Sequence, residues 1–252
     1  MTENTTQARF RFKGDLVHEL TVPDAKNTTL PPVYAFGIKK GGSTMMSKMI
    51  RDLLPHSEYS YFELPRELFS TGLPMFKLIE DCDDVLTRPG YVFGTFRWLP
   101  NNEIVSWNNK HAKLLLVRDP RDVLVSLYFS DKGSHALPQE GPLKEAMERK
   151  REKLEETDID TYVVEESKQV LMQYYRTMQL LASPRCQVVR YRDIIYDKRG
   201  LVSKLAEMMQ IPADHPVIDE VAKAHDIIPN SEKEASHIRQ VHPGNYKKKL
   251  KK

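Results

Sequence analysis

Cysteine is nearly absent from this 252-residue chain, with Cys82 and Cys186 the only two. They stand far apart, with neither metal-ligand spacing nor a disulfide framework, so two buried free thiols are expected. The eight histidines are scattered without a His-x-His or His-Glu-x-x-His pattern, and no metal is expected. No apolar run approaches transmembrane length, so no membrane partner is expected. The opening Met-Thr-Glu-Asn-Thr-Thr-Gln lacks the apolar core of a signal peptide, which makes a cytoplasmic location the expectation. A large charge excess is also missing. The 38 basic and 35 acidic residues leave +3, much of it in the closing Tyr-Lys-Lys-Lys-Leu-Lys-Lys. A nucleic-acid binder would spread a broader basic field, so no nucleic-acid partner is expected.

What is present alternates between short apolar runs and helical patterns. Residues 8–22 alternate around Lys13-Gly14-Asp15, as an N-terminal hairpin would. Val33 to Ile38, Gly90 to Phe96, Lys113 to Arg118 and Gln187 to Tyr191 read as buried strands. Helices are predicted over Ser43–Leu54, Pro100–Asn108, Pro120–Asp131, 143–156, 160–182 and Leu201–Met209, with two more within 216–236. Residues 143–156 read as a solvated face. Val163, Val170, Leu171, Tyr174, Tyr175, Met178 and Leu181 fall at helical spacing and are expected in the core. The alternation predicts one α/β domain over residues 1–252, with a central parallel sheet flanked by helices. Residues 1–30 would form an extension or hairpin, and residues 237–252 a closing loop and basic tail.

Strand, glycine turn and helix follow one another at Gly37-Ile-Lys-Lys-Gly-Gly-Ser-Thr44. Such a turn aims backbone N–H groups and a helix dipole at one anion. A nucleotide P-loop places its lysine directly after the second glycine. Here that place is Ser43, and the lysines stand upstream at Lys39 and Lys40. That shift suits a donor without a γ-phosphate better than ATP with Mg²⁺. A second strand-to-helix junction carries Arg118-Asp-Pro-Arg-Asp-Val-Leu-Val-Ser126, where an arginine fork and a hydroxyl can share a phosphate. Read alone, Arg118 equally pairs with Asp119 or Asp122, and Ser126 reads better as a neutral helix residue.

These segments resemble the sulfotransferases that use 3′-phosphoadenosine 5′-phosphosulfate (PAPS). Lys39-Lys40-Gly41-Gly42-Ser43-Thr44 is similar to the Arg-Lys-Gly-Gly-Thr form of their phosphosulfate loop. Arg118 and Ser126 match the spacing of their 3′-phosphate motif. Arg239-Gln-Val-His-Pro-Gly244-Asn-Tyr246-Lys247 is similar to their closing loop, with Val241 in place of its first glycine. Tyr191-Arg-Asp-Ile resembles a strand end whose tyrosine lies near the adenine, although a core tyrosine reads equally well. The resemblance spans roughly residues 33–250 and implies a P-loop-like α/β fold.

It implies Lys40 as the catalytic cation on the departing oxygen. The N–H groups of Gly41, Gly42, Ser43 and Thr44 would hold the phosphosulfate, with Lys39 assisting or merely solvated and Met45 next in the cofactor site. Arg118, Ser126, Tyr191, Arg239 and Gly244 would hold the rest of the nucleotide, and 3′,5′-ADP would be released. Met45 stands where the family stacks a tryptophan, so adenine contacts must differ. The family's strand histidine is absent from Thr95-Phe-Arg97-Trp98-Leu-Pro100. Another branch uses a glutamate some twenty residues after the loop, which makes Glu63 the candidate base. A surface carboxylate is the competing reading of Glu63, and His56, His111 and His135 are weaker candidates. Arg97 and Trp98 would face a small-molecule acceptor bearing a hydroxyl or an amine or amide nitrogen. A P-loop kinase and a non-catalytic nucleotide-binding relative are the rival readings.

Overall fold

The computed structural model describes residues 4–97, 110–226 and 241–251. Trp98, Arg239 and the helix predicted over Pro100–Asn108 lie outside the described residues.

Thr5–Phe12 (β1) and Leu16–Pro23 (β2) form an antiparallel hairpin whose Gly14 and Asp15 both take positive φ. The main chain then enters Val33–Gly37 (β3), Ser43–Leu53 (α1), Ser60–Phe62 (β4) and Leu64–Ser70 (α2). Leu78–Asp81 (β5) pairs with β1 to complete a small three-stranded sheet. Tyr91–Phe96 (β6), Lys113–Val117 (β7) and Pro120–Phe129 (α3) follow, then Pro142–Glu155 (α4) and Ile159–Met178 (α5). Cys186–Arg190 (β8), Tyr191–Ile194 (α6), Lys198–Met208 (α7), Val217–Ala224 (α8) and Tyr246–Lys249 (α9) complete the described elements. No helix among the described residues is long and apolar enough to cross a membrane.

The main sheet runs β4-β6-β3-β7-β8, and every pairing in it is parallel. Period-two alternation splits the buried strands between two cores. Val33 and Ala35 of β3, with Leu114 and Leu116 of β7, face the core under α1, α7 and α8. Tyr34, Phe36 and Leu115 face the opposite core, which the small sheet covers with Phe10 and Phe12. Both faces are therefore apolar, and the strands read as continuous hydrophobic runs.

The chain leaves β3 toward β4 and β6 on one side and leaves β7 toward β8 on the other. The carboxyl ends of β3 and β7 thus flank a switch point, the place where open α/β sheets leave a crevice. Gly37 and Val117 are the strand-end residues there.

Three expectations need correction. Gln187 to Tyr191, expected as a buried strand, falls on the sheet edge, where only Val189 of β8 is buried and Val188 is 44% exposed. Only part of the α5 stripe is core. Val170 is buried and Val163 and Tyr174 are half-buried, but Leu171 is 69% exposed, Tyr175 72%, Met178 59% and Leu181 48%. The inward residues recur at i, i+7 and i+11 against α3, whereas Leu171, Tyr175 and Met178 lie on a second stripe turned away from it. Cys82 and Cys186 are free, but only partly buried.

Candidate functional site

The loop after β3 is built from conformations that few residues tolerate. Lys40 takes φ 62° and Gly42 takes φ 101°. A side chain at Gly42 would stand 3.1 Å from the Tyr191 ring and 3.3 Å from Leu116, so glycine is demanded there twice over. Gly41 N–H donates to the Ile38 carbonyl at 2.7 Å, closing the turn. Gly42 then caps α1, whose first N–H groups have no acceptor within the helix and point into the crevice.

Across the switch point, Asp119 caps α3 by accepting from the Arg121 N–H, with Pro120 in its first turn. Arg118 therefore projects from the strand end into the crevice. One guanidinium N–H donates to the Lys40 carbonyl at 3.0 Å, and the guanidinium lies 4.4 Å from the Tyr191 ring centroid. Its Nε is buried and finds no partner among the described residues. A buried, unpaired charged donor is costly unless a ligand anion completes it. Tyr191 itself donates to the Val241 carbonyl at 3.0 Å, which ties the C-terminal segment to the same cluster.

Lys40 reaches inward, where its ammonium donates to the Ser130 hydroxyl at 3.1 Å. Its pKa is lowered to about 8, first by burial and then by the like charges of Lys39, Arg97 and Arg118, against the pull of Asp131. Arg97 donates to the Ser43 hydroxyl at 2.8 Å, and burial lowers its pKa too. Lys39 is exposed and stands 3.9 Å from Asp131.

These groups line one cavity of about 960 Å³. Lys39, Lys40, Gly42, Ser43, Thr44, Met45, Arg97, Arg118, Ser126 and Tyr191 all belong to its wall. The structure thus brings together most residues predicted for the site. The far end of the wall is apolar, formed by Phe69, Leu73, Met75, Phe76, Leu143 and Met147. Between the ends sits a charged group, with Lys150 bridging Asp131 at 2.8 Å and Glu166 at 2.7 Å.

Three predicted residues stand elsewhere. Gly41 lies under the loop, where a Cβ would meet the Ile38 carbonyl oxygen at 2.8 Å. Glu63 is buried beneath the loop rather than in the cavity wall. Its Oε1 accepts from Ser47 at 2.7 Å and its Oε2 pairs with Arg51. Thr95 adds a longer bond to Oε1 at 3.3 Å. The Gly244 N–H donates to Asp122 at 2.7 Å, and the Tyr246 N–H joins it at 3.2 Å. Asp122 on α3 thus clamps the C-terminal segment from outside the cavity. Of the three histidines, His135 lines the cavity, its ring 5.4 Å from that of Phe69.

Sequence reasoning missed Ser130, Asp122 and the apolar wall. The first two had a signal, since Asp122, Ser126 and Ser130 recur every four residues on one helical face. The wall had none, because its residues come from separated turns and helices.

Comparison with known proteins bears on this arrangement. The sulfotransferase domain family matches residues 31–249. No curated protein matches the chain in sequence. Among solved structures, mouse sulfotransferase SULT7A1 complexed with PAP shares 12% identity, with a TM-score of 0.47 over 92% of this chain and 80% of that one. A retinol dehydratase in complex with retinol and PAP shares 15% identity, with a TM-score of 0.45 over 98% and 86%. With the family match running from before β3 to the end of α9, the chain belongs to the sulfotransferase domain family.

Proposed function

We propose that the protein transfers a sulfuryl group from PAPS to a small acceptor with an apolar body and a hydroxyl or amine nucleophile. The observation that carries this reading is the orphaned Arg118 Nε beside a phosphate-type loop whose lysine precedes its glycines. A donor with phosphate at both ends answers both features, and a γ-phosphate answers neither.

PAPS would supply an activated sulfuryl group on a good phosphate leaving group. The α1 N-terminus and the Gly42, Ser43 and Thr44 N–H groups hold that end. Arg118 and Ser126 hold the 3′-phosphate, and Tyr191 lies under the arginine. Lys40 places a preorganised cation where charge grows on the departing oxygen. Arg239 is proposed for the same nucleotide. Gly244 would act through the closing segment, since its N–H is held by Asp122.

Arg97 would orient the loop through Ser43 while facing the acceptor, and Trp98 is proposed beside it. Proton removal is assigned to His135, which lines the acceptor end of the cavity and whose backbone N–H donates to the carbonyl of Ser130, the residue whose hydroxyl meets Lys40. Glu63, the first candidate by sequence, is proposed as a positioning residue, because Ser47 and Arg51 occupy its two oxygens.

Thermal shift with 3′,5′-ADP against ATP–Mg²⁺ tests the donor. Stabilisation by the bisphosphate alone is the expected result, and a preference for ATP–Mg²⁺ would overturn the reading in favour of a kinase. Transfer of labelled sulfate from PAPS to a panel of apolar alcohols and amines tests the acceptor.

A further inference from the structure

The outward face of α5 carries large apolar side chains that no core uses. Val164 is 75% exposed, Leu171 69%, Tyr175 72% and Met178 59%, with Met172 beside them at 48%. Their numbers differ by seven, four and three, the 3.5-residue repeat of a helix-pairing seam. Lys168 fills the one remaining seam position. Beyond the helix, Leu181 in the following turn and Val188 of the edge strand β8 extend the patch. Exposed patches of more than a few hundred Å² on a soluble domain mark contact surfaces.

We propose that this face is the dimer interface of the protein, with a second copy of the chain packed on it antiparallel, α5 against α5. Three observations favour that occupant. The seam is self-complementary: an antiparallel pair centred near Gln173 sets Leu171 against the second copy's Tyr175, and Lys168 against its Met178, each contact occurring twice. A lysine stem lies well along methionine while its ammonium escapes to solvent. The area also fits. Seven large apolar side chains, each about half exposed or more, offer on the order of 800 Å², about what one partner gives to a standard interface. Finally, charge on the helix face is sparse and mixed, Glu165 near one end and Lys168 within the seam. A membrane-binding helix would flank such a stripe with cations. The opposite face of α5, carrying Gln169, Val170 and Gln173, lines the cavity. The dimer contact would therefore brace one wall of the site from behind.

Light scattering of the full chain across about 1–100 µM tests this, with twice the chain mass expected at the upper end. Leu171→Glu combined with Tyr175→Glu should give a monomer with an unchanged circular dichroism spectrum and a cooperative melting transition that no longer shifts with protein concentration. Geometry is read separately by cysteine cross-linking. Met172→Cys should cross-link between copies above the parent's background, whereas Val164→Cys should not, since antiparallel packing keeps the two Val164 sites roughly 27 Å apart. A monomer at every concentration would overturn the proposal. So would a dimer indifferent to the double substitution, cross-linking at Val164 instead of Met172, or a monomer that uses this face to sediment with anionic vesicles.

Discussion

Arg118 donates to the backbone carbonyl of Lys40 at 3.0 Å, so the arginine of one motif fixes the loop conformation of the other. The contact crosses the switch point between β3 and β7. It also holds Lys40 at φ 62°, a left-handed conformation that costs a non-glycine residue about 1 kcal/mol or more. The glycine loop after β3 and the arginine after β7 are therefore built on each other.

Loss of Lys40 should act on the chemical step. Lys40→Ala is expected to lower kcat by about 10²–10³-fold, the usual cost of one preorganised charge. Lys39→Ala, at an exposed site, should cost less than tenfold. Steady-state rates with PAPS measure both.

The Lys40 cation must be protonated to work, and its pKa is lowered to about 8. Activity that depends on it is therefore full below that value and lost as pH rises through it. The pH profile of kcat/KM for the donor, which reports the free enzyme, should fall above about pH 8. Lys40→Arg should move the fall to higher pH.

Arg118→Ala removes the fork proposed for the 3′-phosphate. Calorimetry should show 3′,5′-ADP binding weakened about 10–100-fold, as losing a charge-assisted pair of bonds implies. Binding of 5′-AMP should change much less. Equal losses for both nucleotides would place Arg118 elsewhere.

Gly42→Ala should destabilise the protein by about 1–3 kcal/mol, because φ 101° is strained for alanine and the methyl meets Tyr191 and Leu116. A lowered melting temperature and lost 3′,5′-ADP binding would appear together.

His135→Ala and Glu63→Gln separate a base from a brace. The histidine change should lower kcat with little effect on melting. The glutamine leaves Arg51 without its buried partner charge, so melting should fall first.

The sequence was most legible where structure is local. The β3-loop-α1 unit, residues 33–53, and the β7-Arg118-α3 unit, residues 113–129, are each one continuous stretch of chain, and apolar runs, glycines and a proline cap mark their limits. It was least legible where the fold joins distant segments. No spacing in the sequence announces that α1 brings Arg51 and Ser47 to Glu63. The α5 residues share a helical period, but period alone does not say which of two adjacent stripes faces inward. Phe69, Met75 and Leu143 form one wall only after three separate elements converge.

That wall hangs beyond the sheet on turns and helices, whereas the glycine loop and Arg118 rest on two strand ends. The molecule is thus modular at the level of a single cavity. Exchanging the segment from α2 to Leu78, together with the start of α4, would reshape the apolar end of the cavity while the strand-borne loop and Arg118 passed unaltered into the chimera.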